Sequence, residues 1–105
     1  MLSAQETRLL NDTVTMFGPE ANTDEVNRRL LEVRLKYPRL NDHEAFILAC
    51  AEVQYENAKP DFPSLDYVLN WRIPHYYKID TSELVKSIKA PPELKRRVDE
   101  RPMYR

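Results

Sequence analysis

Ala45-Phe46-Ile47-Leu48-Ala49-Cys50-Ala51 is the longest unbroken apolar run in the chain, and how it is read decides the fold. Over so short a run a buried strand and a buried helix look alike. The flanks separate them. Asn41 and Glu44 have the spacing of a capping box, in which each side chain meets the other residue's free backbone N–H. The run itself is rich in alanine, its pattern continues through Val53 and Tyr55, and Lys59-Pro60 closes it. A helix over about 42–58 follows. With no polar side in its middle turns it can exist in water only if neighbours enclose it, so it should be the central element.

Outward from this helix the chain is punctuated by proline and almost without glycine: eight prolines against the single Gly18 in 105 residues. Phosphate-cradling loops and tight hairpins need residues that accept positive φ, and this chain has little supply of them. A first helix should begin at Ser3, capped reciprocally with Glu6, bury Leu10, Val14 and Phe17 beside Leu9 and Met16, and stop at Gly18-Pro19. A second, about Asp24 to Lys36, carries Val26, Leu30, Val33 and Tyr37 on one face, with Leu31 and Leu35 widening it. Its other face offers the acid-first pairs Asp24–Arg28, Glu25–Arg29 and Glu32–Lys36. A short fourth helix is expected over Ser64 to Arg72, and a fifth, capped by Asp80 and Glu83, carries Leu84, Val85 and Ile88. Pro91-Pro92 begin a last, weak helical stretch.

Between the fourth and fifth helices the pattern changes. Trp71, Ile73, His75, Tyr77 and Ile79 alternate with Arg72, Pro74, Tyr76 and Lys78, a period of two. Because Pro74 lacks a backbone donor, an extended segment over 71–79 at the edge of the bundle is expected rather than a central strand. The fold class is therefore all-α. It is a small bundle of about four to six short helices around residues 42–58, with the extended aromatic segment 71–79. Residues 1–89 form the domain and 90–105 a basic, proline-marked C-terminal arm.

Charge is unevenly distributed. Residues 1–85 hold 9 Lys and Arg against 14 Asp and Glu, a balance of −5, while residues 86–105 hold 7 against 3, a balance of +4. An acidic body precedes a basic end. No apolar run approaches the roughly 18–20 residues that span a bilayer, so no membrane partner is expected. No basic stretch followed by an apolar one marks a leader at the N-terminus. Cys50 has no partner in the chain, which makes a reducing, cytoplasmic compartment the default.

Candidate chemistries narrow quickly. His43 and Cys50 share a helix face at a spacing of seven, but Cys50 lies within the apolar run and the chain has 2 histidines in all. No metal site is expected. A buried thiol is a poor nucleophile, and Glu52 with Glu56 reads more simply as a solvated acidic face than as an acid–base pair. No catalytic residue and no cofactor are therefore expected. Helices two and three resemble a helix-turn-helix pair in spacing only, because Asp42, Glu44, Glu52 and Glu56 would repel a phosphate backbone.

Two features point instead to protein binding. Phe62, Tyr67, Trp71, Tyr76 and Tyr77 crowd a sixteen-residue window. In an extended segment Tyr76 would lie opposite Trp71 and Tyr77, so one of the two rows should stay outside the core. Trp, Tyr and Arg are the residue types that dominate interface energetics. The expected contact residues on this segment are Trp71, Arg72, Tyr76 and Tyr77. On the arm they are Lys95, Arg96, Arg97, Arg101, Tyr104 and Arg105. The expected function is a non-enzymatic adaptor or assembly subunit that binds another protein or a second copy of itself. Small helical chains with few glycines are common among virus-encoded accessory and virion components, which admits that setting. The alternative is a nucleic-acid accessory protein whose arm neutralises phosphates.

Overall fold

In a computed structural model, residues 2–16, 23–58 and 61–89 are described. They form α1 (Ala4–Met16), α2 (Thr23–Lys36), α3 (Asp42–Asn57), a single turn α4 (Leu65–Tyr67) that runs into a π-helix (Val68–Tyr76), and α5 (Ser82–Lys89). The protein is all-α, with no strand among the described residues. The helix stops at Gly18-Pro19 and Lys59-Pro60, and the whole arm from residue 90, lie outside the described residues.

The two capping boxes are where the sequence puts them, whereas of the expected Asp80 and Glu83 cap only Asp80 takes part and Glu83 pairs with Lys86. Ser3 N–H donates to Glu6 Oε1 at 2.9 Å, and Glu6 N–H donates to Ser3 Oγ at 3.1 Å. Asn41 and Glu44 make the same reciprocal pair at the head of α3, at 3.2 and 2.7 Å. Ser64 Oγ accepts the Tyr67 N–H at 3.0 Å and starts α4. Asp80 accepts from the backbone N–H and hydroxyl of Ser82 at 2.9 and 2.8 Å, which holds its carboxyl below the usual range.

α3 buries Ala45, Ile47, Leu48, Ala49, Cys50, Ala51, Val53 and Gln54. It packs against α1, α2, α4 and the π-helix. Leu9 of α1, Val26 and Val33 of α2, Val68, Leu69 and Ile73 of the π-helix, and Leu84 of α5 complete one continuous core. The α2–α3 seam is tied by Arg29, which reaches Glu52 at 3.1 Å and Glu56 at 2.5 Å. The two carboxylates expected on a solvated face are thus matched to a cation from the neighbouring helix. Glu25–Arg29 forms at 3.5 Å, whereas Arg28 pairs with Glu25 and Glu32 rather than with Asp24.

Some expectations are overturned. Met16 does not join the buried stripe of α1 and is 58% exposed. Leu31 and Leu35 do not widen the buried face of α2; they are 65% and 85% exposed. The helix meets its neighbours through Val26, Leu30 and Val33, and its turn carries the other two leucines to the far side. Residues 71–79 are not an extended segment either. Val68–Tyr76 is a π-helix with Pro74 inside it. Leu69, Ile73 and Tyr77 recur every four residues and all are buried, a helical period that the alternation of apolar and polar side chains masks. In an α-helix Pro74 would leave one carbonyl without its donor and press its ring on the preceding turn. Widened turns of this kind shift which carbonyls need partners. The Ile73 carbonyl accepts from both Tyr77 N–H at 3.2 Å and Ile79 N–H at 3.5 Å, and Lys78 turns the chain at φ 60.

Candidate interaction surface on the π-helix

The wide helix sorts the aromatics of this region by depth. Trp71 is 52% exposed and Tyr76 41%, while Tyr77 is buried. Tyr67, Trp71 and His75 follow one another at intervals of four and stack. Ring centroids are 5.7 Å apart for Tyr67–Trp71 with planes 11° apart, and 5.1 Å for Trp71–His75 with planes 21° apart. Phe62 extends the series at 6.0 Å from Tyr67. His75 Nδ1 lies 2.8 Å from the Trp71 carbonyl, so this nitrogen carries the proton and donates. The indole is therefore gripped on both sides, and each added contact reduces the freedom it would lose on binding.

Tyr76 is held differently. The guanidinium carbons of Arg8 and Arg72 lie 4.6 and 4.7 Å from its ring centroid, and its edge-to-face contact with Tyr77 spans 4.8 Å. Arg8 also donates to the Tyr76 carbonyl at 3.4 Å. Arg72 is anchored from below. Its Nε donates to Gln54 Oε1 at 2.9 Å and its Nη2 to the Tyr77 hydroxyl at 3.3 Å.

Beneath the surface lies a buried polar network that joins three helices. The Tyr77 hydroxyl accepts from Gln54 Nε2 at 3.1 Å and donates to Asp12 Oδ2 at 3.0 Å. Gln54 Nε2 also donates to Thr13 Oγ1 at 2.9 Å, and Thr13 donates to the Leu9 carbonyl at 2.7 Å. Burial pushes the Tyr77 hydroxyl up to about 12, against the opposing hydrogen bond from Gln54. Burial also pushes the Cys50 thiol up to about 12, so it is a core residue and not a nucleophile.

Of the expected contact residues, the structure leaves Trp71 and Tyr76 exposed and sets Arg72 against the Tyr76 ring. It withdraws Tyr77 into the core. Lys95, Arg96, Arg97, Arg101, Tyr104 and Arg105 lie outside the described residues. Arg8, Asp12, Gln54 and His75 belong to the same assembly and were not among the expected contact residues; Tyr67 was counted in the aromatic window but not as a contact. The 67–71–75 spacing was the available signal; the partners from α1 and α3 had none. Among the described residues no three His, Cys, Asp or Glu side chains converge as a metal site, and no helix is long and apolar enough to cross a membrane. Compared with protein-family models, curated proteins and solved structures, the chain matches none.

Proposed function

We propose that this protein is a non-enzymatic adaptor or assembly subunit that binds another protein through Trp71 and Tyr76. The observation that carries the reading is the pair of large aromatics, each close to half exposed, on a helix whose packing fixes their orientation. Aromatic anchors held rigid before contact lose little entropy on binding, which is how hot spots concentrate affinity. Arg8 and Arg72 supply cationic rims around Tyr76. The basic residues of 86–105 add long-range attraction to an acidic surface.

The test compares the full chain, a Trp71→Ala/Tyr76→Ala variant and a chain ending at residue 89, each immobilised and exposed to extract at low and moderate salt. One protein retained by the full chain, surviving moderate salt and lost from the aromatic variant, supports the reading. Equal retention by all three removes it. Retention of nucleic acid that falls log-linearly with salt and ignores Trp71 and Tyr76 selects the alternative, a phosphate-binding arm.

A further inference from the structure

A cleft of about 380 Å³ opens where the start of α1 meets α2 and the first turn of α3. Leu2, Leu30 and Phe46 supply its apolar walls, and Glu6, Arg34, Asp42 and His43 its polar groups. Most of the polar capacity is already matched. Arg34 Nη2 lies 2.5 Å from Asp42 Oδ1. Glu6 is buried, and its Oε1 is taken by the Ser3 N–H at 2.9 Å. Its Oε2 meets His43 Nδ1.

That last contact fixes the chemistry of the ring. A carboxylate facing Nδ1 holds a proton there, so the neutral imidazole keeps its lone pair on Nε2. The His43 side chain is 56% exposed, and among the described residues none engages Nε2. The cleft thus offers an apolar bed, one unmatched acceptor and charged groups engaged with one another.

We infer that this cleft binds a neutral phenol, with the ring laid on Leu2, Leu30 and Phe46 and the hydroxyl donating to His43 Nε2. The alternatives are each opposed by a neighbour. An ammonium group would find Glu6 already taken by Ser3 and His43, and Asp42 by Arg34, and a carboxylate would meet Glu6 and Asp42. A hydrocarbon would cover Nε2 without replacing its water. A phenol joins a flat apolar body to a strong neutral donor, the combination a small pocket with one oriented polar group selects.

The experiment is an NMR titration of the full chain with p-cresol, toluene and benzylamine. Saturable shifts at His43, Leu30 and Phe46 are expected, with p-cresol about three- to tenfold tighter than toluene, the factor one net hydrogen bond supplies. His43→Asn keeps an N–H near the position of Nδ1 for Glu6 but has nothing where Nε2 stood. It should reduce p-cresol to the level of toluene. Ring ¹⁵N shifts should show the neutral His43 ring protonated on Nδ1. Equal affinity for p-cresol and toluene, tighter binding of benzylamine, an unaffected His43→Asn variant, or a ring protonated on Nε2, whether neutral or charged, would each overturn the inference. Should His43→Asn fail to fold, the ligand ratio and the ring shifts of the native chain still decide it.

Discussion

The Tyr77 hydroxyl donates to Asp12 of α1 while accepting from Gln54 of α3 and from Arg72 of its own helix. Removing one oxygen therefore takes a bond from each of three partners, of which Gln54 is fully buried and Asp12 and Arg72 partly so. Tyr77→Phe should cost about 1–3 kcal/mol, read as a lower urea midpoint at unchanged slope and unchanged helicity. A shift under about 0.5 kcal/mol would mean the partners re-pair and the network is not a unit. Two residues of the interior also set the alkaline limit. Cys50 rises from an ordinary 9.0 and Tyr77 from 10.0, each to about 12, so the folded state holds their protons more tightly than the unfolded chain. The contribution of these two groups to stability is then full below about pH 9 and falls progressively between about pH 9 and 12. Cys50→Ala should flatten the first part of that fall in denaturation curves taken between pH 8 and 11, and the native thiol should resist disulfide reagents until the protein unfolds.

Among the elements, the capped helices were legible and the π-helix was not. Ser3–Glu6 and Asn41–Glu44 are local arrangements, complete within four residues, so the sequence carries them whole. Residues 68–76 are decided by contacts from elsewhere. Leu69, Ile73 and Tyr77 enter a core built by α1 and α3, and the alternation of Trp71, Ile73 and His75 conceals a period of four. The outward direction of Leu31 and Leu35 escaped for a similar reason: an α2 rich in leucine has two apolar faces, and only the position of α3 selects one. The candidate surface was legible as a crowd of aromatics, but not its depth order, which placed Tyr77 inside. The end of the π-helix gives a prediction of its own. Lys78 sits at φ 60, a left-handed conformation that a side chain disfavours and glycine accepts. Lys78→Gly should raise stability by about 0.5–1 kcal/mol in thermal or urea unfolding. An unchanged or lower midpoint would show that contacts of the lysine stem outweigh the relief.

For the whole molecule the decisive quantity is the separation of charge and packing along the chain. Among the described residues the core runs from Leu9 to Leu84, with Ile88 packed on its edge, and takes buried side chains from α1, α2, α3, the π-helix and α5. Residues 90–105 hold Lys95, Arg96, Arg97, Arg101 and Arg105, with Leu94 and Val98 among their few apolar residues. On the proposed reading this arm acts through charge, over about a Debye length, roughly 8 Å at physiological ionic strength. A chain ending at residue 89 should therefore keep the helical far-UV signal of the body while associating more slowly with its partner. The rate deficit should shrink as salt rises, because screening removes the attraction that the arm supplied to the full chain. Trp71→Ala should do the reverse, leaving the association rate and its salt dependence nearly unchanged while speeding dissociation about tenfold or more. Surface-plasmon traces of the two variants across a salt series separate these effects. If truncation and Trp71→Ala alter the same rate constant with the same salt dependence, steering and anchoring are not divided between arm and π-helix.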